Sequence, residues 1–486
     1  MDTKAFTLAE CLEAAADTKE MIVKDGAVAE IPALLKRRFT PAGGGEGGGG
    51  EGAEPAVFIV ADANTWEAAG AAVLETVRAA GMGPGEAFVF PAAAGDAAGW
   101  IHPDYGRVTT LTGAIRAFQE RRGKGAGVVP VAAGSGTIND LVKRASSELG
   151  LPYLCVPTAA SVDGYTSHGA ALLYQGCKQT LPCEAPRAVA ADSAILAAAP
   201  AFLSSSGFGD LAGKYIAGSD WIISDALAAL DPELAPGLAA IEPRAWAMVQ
   251  GPLEDNLARS VQAARGDREA VGTLFEALGI TGFSMQYLRN SRAVSGCEHM
   301  WSHVWEMENL SHRGVPVTHG HKVALGTLAA LAFTERCFAE KPGPPRRRER
   351  RPSRAEREAA VREAFAGLGA GGAVPAVEGI LKTAGEKFSD DPAGVRRLQE
   401  GILDRWEEIR RAVFERLPPY GELRALLAEA RCPVTPAEIG LTRGEVIAAA
   451  RKAQMIRCRF TVLDLAFEAG IFEDVLRRVE EDKRYL

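Results

Sequence analysis

Seven histidines occur in 486 residues, at 102, 168, 299, 303, 312, 319 and 321, and five of them fall within positions 299–321. Imidazole binds divalent metals and also changes charge near neutral pH, so such density points to chemistry rather than to packing. His299 and His303 stand four apart in SGCEHMWSHVWEM (295–307), which places both on one face of a predicted helix. THGHKVALGTLAAL (318–331) predicts a second helix, with His319 near its start and His321 two residues on. One histidine from each helix plus a carboxylate would make a three-ligand site with an open position. That arrangement suits a metal acting as a Lewis acid rather than as a structural clamp. The HExxH pattern is absent, so the glutamate base of zincin-type peptidases is not expected. SSSGFGDLAGKYIAGSDW (204–221) sets Asp210 after an expected Gly-Phe-Gly turn, just inside a helix. An acid there is equally an ordinary N-terminal residue favoured by the helix dipole, and spacing alone does not select it.

A second feature concerns phosphate. GSGTIND (134–140) follows an apolar run and opens the helical pattern DLVKRASSELG. Glycines at a strand-to-helix turn let a phosphate approach the backbone, and the free N–H groups at the helix start favour an anion. The six-residue GxGxxG pattern is not complete, so the turn alone is a weak signal. Asp62 ends an earlier apolar run, where it could accept hydrogen bonds from an adenosine ribose or simply cap the next helix.

These residues need a scaffold. Between Pro55 and about Asp192, short apolar runs alternate with amphipathic helical stretches. AVFIVAD (56–62), AFVFPA (87–92), GVVPVAAG (127–134), PYLCVPT (152–158) and AVAAD (188–192) read as strands, with a helix from about Thr65 to Ala80. This pattern predicts an α/β domain with a buried parallel sheet over residues 1–195. From 196 to 486, Ala, Leu, Glu and Arg recur at helical spacing, predicting an all-α domain. The first twenty residues are acidic and helical in pattern. Two stretches read as insertions: the glycine-rich PAGGGEGGGGEGA (41–53) and the Pro/Arg-rich KPGPPRRRERRPSRA (341–355).

Composition narrows the class. A net charge of −8 argues against general nucleic-acid binding, and 47% hydrophobic residues can bury a sizeable core. The eight cysteines form no Cys-x-x-Cys pair and are expected to be reduced thiols in a cytoplasmic protein. The start lacks the basic and apolar run of a signal peptide, and no charge-free apolar run reaches membrane-spanning length, so no stable membrane insertion is expected.

Several segments match one family in order: VADANTWEAAG (60–70), GSGTINDLVK (134–143), PTAASVDGYTS (157–167), GFGDLAGKY (207–215), SRAVSGCEHMWSH (291–303), THGHKVALGT (318–327) and IRCRFTVLDLAFEAGI (456–471). On these the chain resembles the glycerol dehydrogenase and dehydroquinate synthase-like superfamily, which includes the iron-containing alcohol dehydrogenases. Within it the chain is most similar to the bacterial type of the sn-glycerol-1-phosphate dehydrogenase branch. The resemblance implies a nucleotide-binding α/β domain, a helical domain and an active site in the cleft between them. It implies Asp210, His299 and His319 as ligands of one divalent ion, with zinc, nickel and iron all compatible with two imidazoles and a carboxylate. His321 stands where relatives usually have glutamate.

The resemblance also implies NAD or NADP as cofactor, bound by Asp62, Gly134, Ser135, Gly136, Thr137, Asp140, Thr158, Ser161 and Ser167. Asp62 favours NAD mildly, because its charge repels a 2′-phosphate. Asp163, Lys214, Arg292 and His303 become the candidates for substrate contact and proton transfer. Arg292 is the expected phosphate-binding group, since a guanidinium fork suits phosphate oxygens. The implied reaction interconverts sn-glycerol 1-phosphate and dihydroxyacetone phosphate, as in phospholipid biosynthesis, by a homodimer or larger assembly. A glycerol or alcohol dehydrogenase and a dehydroquinate synthase-like lyase are the alternatives within the superfamily. A non-enzymatic nucleotide-sensing scaffold is a third, and the Asp/His/His set speaks against it.

Overall fold

The computed structural model describes residues 5–40, 55–82, 85–91, 100–123, 127–174, 177–231, 233–343, 350–371, 374–387 and 391–486. The apolar runs before Ser193 form a parallel six-stranded sheet. Its strands are β1 (Glu20–Lys24), β2 (Ala56–Asp62), β3 (Glu86–Phe90), β4 (Val128–Gly134), β5 (Leu154–Pro157) and β8 (Ala188–Asp192), in the order β1-β8-β5-β4-β2-β3. Every residue of β2, β4 and β8 is buried, as expected where helices cover both faces. Alternation along β2 divides the core: Val57 and Ile59 pack with Leu34 and Val131, while Phe58 and Val60 face Ile138 and Ile115.

The structure departs from the sequence reading in four places. The N-terminal stretch is helical only over Leu8–Ala14, and an unforeseen strand, β1, follows and pairs with β8. The helix expected from Thr65 begins at Ala63 and includes one π-type turn, Trp66–Gly70, before Ala71–Ala79. An antiparallel hairpin, β6 (Gly169–Tyr174) and β7 (Cys177–Pro182), projects between β5 and β8. After Ser193 the described residues form helices and loops, with one small ribbon of β9 (Ser311–His312) and β10 (Val315–Pro316).

Four helices matter for the site: Ala201–Ala212, Arg268–Leu288, Cys297–Met307 and His319–Cys337. The last of these packs against both Ala201–Ala212 and Cys297–Met307. Arg268–Leu288 packs on the short turn Asp163–Thr166 that follows β5. A Cβ at Gly282 would lie 1.9 Å from Thr166 Oγ1, so only glycine allows this seam between sheet and helices.

The 41–53 insertion lies outside the described residues, as do 344–349 of the second. Cys11, Cys155, Cys183, Cys297, Cys337, Cys432 and Cys458 are free thiols. Among the described residues no helix is long and apolar enough to cross a membrane.

Candidate metal centre and nucleotide site

Asp210 sits near the C-terminal end of helix Ala201–Ala212, not at a helix start. The expected Gly-Phe-Gly turn is helical, and its glycines serve packing instead. A Cβ at Gly207 would lie 2.0 Å from the Ala160 carbonyl oxygen, and one at Gly209 would lie 2.5 Å from that of Gly320. Conversely, a Cβ at Gly320 would lie 1.7 Å from the Ser206 carbonyl oxygen. The Asp210 and His319 helices therefore meet main chain to main chain. The dipole reading of Asp210 fails, because a carboxylate near a helix C-terminus gains nothing from the dipole.

Donor atoms of Asp210, His299 and His319 all lie within 4.8 Å of one another. His299 Nε2 stands 3.4 Å from Asp210 Oδ1. Each histidine is backed by a glutamate: His299 Nδ1 is 2.5 Å from Glu298 Oε1, and His319 Nδ1 is 2.7 Å from Glu306 Oε1. A carboxylate at Nδ1 fixes the tautomer with its proton there and leaves Nε2 free to ligate. Two imidazoles, one carboxylate and carboxylate backing fit a divalent ion such as zinc, nickel or iron. Asp210 and His299 are buried, whereas the His319 side chain is 22% exposed, so the group opens toward solvent on that side.

Lys214 lies one turn beyond Asp210 and is completely buried. Its Nζ is 2.8 Å from Asp210 Oδ1 and 2.7 Å from Asp163 Oδ2, while the Asp163 backbone N–H donates to Asp210 Oδ2 at 2.9 Å. Burial opposes charge on Asp210, but the Lys214 ammonium and the His299 hydrogen bond outweigh it and hold the carboxyl well below the usual range. For Lys214 burial is likewise outweighed, here by the two carboxylates, and its pKa is raised.

The five clustered histidines divide. The rings of His299, His303 and His319 stand together, with centroids 5.4–6.1 Å apart. His303 is not in the donor group. Burial, then the Arg457 guanidinium, push its pKa down to about 3, so the ring is neutral. Its Nδ1 bonds Glu306 Oε2 at 3.1 Å and its Nε2 meets Arg457 at 3.1 Å. His321 lies outside the donor group, with Nε2 3.1 Å from Ser205 Oγ. Arg292 donates to the Gly237 carbonyl at 2.6 Å and to Ser224 Oγ at 3.4 Å, and none of its hydrogen bonds reaches the donor group.

A second acid-rich group, Asp220, Cys297 and Glu298, is fully buried. Asp220 accepts the backbone N–H groups of Cys297 and Val462 at 2.7 and 2.8 Å, and burial pushes its carboxyl up to about 7. Its bonds hold the ends of two segments together, which is a structural role.

On the nucleotide side, Gly134 ends β4 and Gly136–Leu149 is a helix whose N-cap, Ser135, makes no side-chain cap bond. The first-turn N–H groups beside Thr137 are thus left for an anion. Thr158, which is buried, donates its N–H to the Gly134 carbonyl at 3.1 Å. Asp140 accepts the Ala171 N–H at 3.2 Å and so pins the β6–β7 hairpin. Ser161 Oγ lies 3.3 Å from the Tyr165 hydroxyl, and Ser167 Oγ donates to the Gly164 carbonyl at 3.0 Å. Asp62 caps the next helix, accepting the Thr65 N–H at 2.8 Å.

Three residues of this constellation escaped the sequence reading: Glu298, Glu306 and Arg457. Glu306 stands three residues after His303, a helical spacing that was available as a signal. Glu298 directly precedes His299, and sequence adjacency on a helix does not predict contact. Arg457 lies in the IRCRF segment, 154 positions from His303, and only the family motif marked it.

Residues 50–200 match the family model described as iron-containing alcohol dehydrogenase. The glycerol-1-phosphate dehydrogenase (NAD(P)+) of Bacillus velezensis is 34% identical over 342 residues, which are 70% of this chain and 78% of that protein. Its counterpart from Bacillus subtilis is 37% identical over 225 residues, 46% of this chain and 55% of that protein. Among solved structures, glycerol dehydrogenase from Schizosaccharomyces pombe superposes with a TM-score of 0.54 at 14% identity, covering 96% of this chain and 92% of that one. The iron-containing alcohol dehydrogenase from Thermococcus thioreducens gives a TM-score of 0.53 at 14% identity, covering 96% and 99%. The two structures establish the fold; the B. velezensis match, over most of both chains, establishes that this chain belongs to the glycerol-1-phosphate dehydrogenase (NAD(P)+) family.

Proposed function

We propose that the chain is an NAD(P)-linked oxidoreductase that interconverts sn-glycerol 1-phosphate and dihydroxyacetone phosphate. One observation carries the reading: a single segment links the glycine turn to the metal donors. At one end Thr158 bonds Gly134, and at the other the Asp163 N–H bonds Asp210. A dinucleotide phosphate on the uncapped helix start and an ion among the three donors would therefore face one cleft. We assign the cleft to the junction of residues 1–195 with the helical region 196–486.

When bound, a divalent ion (zinc, nickel or iron) supplies Lewis acidity to a hydroxyl or carbonyl oxygen, and the nicotinamide accepts or gives hydride. The chain's own residues position these groups. Asp210, His299 and His319 hold the ion, and Glu298 and Glu306 keep both imidazoles in the ligating tautomer. Lys214 lies completely buried between Asp210 and Asp163. It is a positioning residue that balances the charges of Asp210 and Asp163. We take Asp163, 13% exposed in its side chain, as the group that would hand a proton to or from the cleft. Gly134, Ser135, Gly136 and Thr137 bind the dinucleotide phosphates, with Asp140, Thr158, Ser161 and Ser167 shaping the same wall. Asp62 would accept hydrogen bonds from the adenosine ribose and favours NAD mildly over NADP. A cytoplasmic homodimer or larger assembly is part of the same proposal.

Dihydroxyacetone phosphate reduction, assayed with NADH and NADPH on enzyme loaded separately with each metal, tests the reading. Consumption of reduced cofactor with release of sn-glycerol 1-phosphate is expected. Preference for dihydroxyacetone, or turnover without cofactor consumption, would replace it with the polyol dehydrogenase or the lyase. Asp210→Asn is expected to lose the metal and roughly 10³-fold in kcat/KM, the several kcal/mol that metal polarisation supplies.

A further inference from the structure

Three arginines crowd the wall between helix Cys297–Met307 and the 456–462 segment, and two are committed. Arg292 serves the Gly237 carbonyl. Arg459 donates to the carbonyls of Ser291 and Ser295 and to Ser291 Oγ. The third, Arg457, is different. Among the described residues its one hydrogen-bond partner is His303 Nε2, at 3.1 Å, and it makes no ion pair. A guanidinium carries five N–H donors in a rigid fork, so most of this fork is uncommitted.

The bond it does make orients it. His303 is neutral, with Nδ1–H directed to Glu306 and the Nε2 lone pair accepting from Arg457. The backbone around Arg457 is fixed on its C-terminal side: Phe460 N–H bonds the Gly237 carbonyl at 3.2 Å and Val462 N–H bonds Asp220 at 2.8 Å. His303 stands with its ring 6.1 Å from each of the two ligand histidine rings. Arg457 is thus one imidazole removed from the donor group.

We infer that Arg457, held by His303, is the seat for the substrate's phosphoryl group, in place of Arg292. This deepens the proposed function and rests on it for the identity of the substrate. The chemistry it recognises is a phosphate monoester whose hydroxyl or carbonyl oxygens reach the ion site. His303 acts here as a positioning residue, by taking one N–H of the fork and leaving the outer edge for a bidentate anion.

The test uses the full-length, metal-loaded enzyme as wild type, Arg457→Ala, Arg457→Lys and Arg292→Ala. Two readouts are taken: kcat/KM for dihydroxyacetone phosphate against dihydroxyacetone, and calorimetric binding of inorganic phosphate to the NAD-bound enzyme. For Arg457→Ala the loss with the phosphorylated substrate exceeds the loss with dihydroxyacetone by roughly 10²-fold, the size of a lost charge-assisted pair. Inorganic phosphate binds at least about tenfold more weakly, and Arg457→Lys, which keeps charge but not the fork, falls between. Arg292→Ala changes neither ratio. Equal losses on the two substrates, or unchanged phosphate binding, would overturn the assignment. Should the alanine variant not fold, the lysine variant decides by the same ratio. A wild type that turns over neither substrate defeats the proposed reaction, while phosphate binding that depends on Arg457 still upholds the anion seat.

Discussion

The proposed metal centre and the proposed nucleotide turn solve opposite problems of preorganisation. At the metal centre every donor is a side chain, and every side chain is held by another: His299 by Glu298, His319 by Glu306, Asp210 by Lys214. At the glycine turn the binding groups are the backbone itself, and the neighbouring side chains mostly stay out of the way. Ser135 caps nothing, and a side chain at Gly134 would collide with Ile138, whose Cβ lies 2.5 Å from the ideal Cβ position. An ion of fixed radius needs donors fixed to a fraction of an ångström, which a network of charged pairs provides. A diphosphate needs concave, unobstructed amide groups, which shape alone provides.

Perturbing the two regions should therefore give different signatures. The largest effect is expected at Glu306, which backs His319 and His303 together. Glu306→Gln should weaken metal affinity roughly 10- to 100-fold while leaving NAD affinity unchanged. Metal titration by calorimetry checks this, and an unaltered metal affinity would break the contrast. Next in size is Gly136→Val. The Cβ at that position would already stand 3.3 Å from Val162 Cγ2, so added methyls crowd the turn. NAD affinity should fall about tenfold, a cost of order 1 kcal/mol, with metal content retained. Loss of metal in this variant would show that the two regions are not separable.

The smallest effect concerns pH. His168, two residues past Asp163–Thr166, has its pKa lowered by burial and by Arg289, and its Nδ1 has no hydrogen-bond partner. A histidine that binds its proton less readily folded than unfolded makes stability rise with pH through the unfolded pKa of about 6.5. The fold should thus lose stability as pH falls below that value. His168→Gln should flatten the dependence. Thermal melts of both proteins at pH 5 and pH 8 measure it, and parallel profiles would exclude His168 as a contributor.

The same contrast explains what was legible in the sequence. The α/β pattern was readable because fully buried strands are uninterrupted apolar runs, as in AVFIVAD and GVVPVAAG. β1, only partly buried and carrying Glu20 and Lys24, has no such run and was missed. The glycine turn announced itself locally. The metal centre did so only in part, because its ligands come from three helices separated by up to 109 positions, Asp210 to His319. Helical spacing marked His299 and His303 as neighbours but could not say that His299 joins the donor group while His303 bonds Arg457. That division depends on Glu306 and on a segment 154 positions away. Gly207 and Gly209 were read as a turn because glycine favours turns; tertiary packing gave them a different task. Arg292 was named a phosphate ligand from the family resemblance and its guanidinium fork; its hydrogen bonds in the structure go to the Gly237 carbonyl and Ser224 Oγ.

The contact between Gly320 and the Ser206 carbonyl has a consequence for how the enzyme can change over time. Two of the three proposed metal donors, Asp210 and His319, ride on helices that meet through bare backbone at Gly209 and Gly320. Core substitutions elsewhere can be absorbed by repacking, but there is no side chain here to trim or swap. Selection acting on the cleft can rework Arg457, His303 or the nucleotide wall one residue at a time, whereas the gauge between these two ligands admits no gradual adjustment.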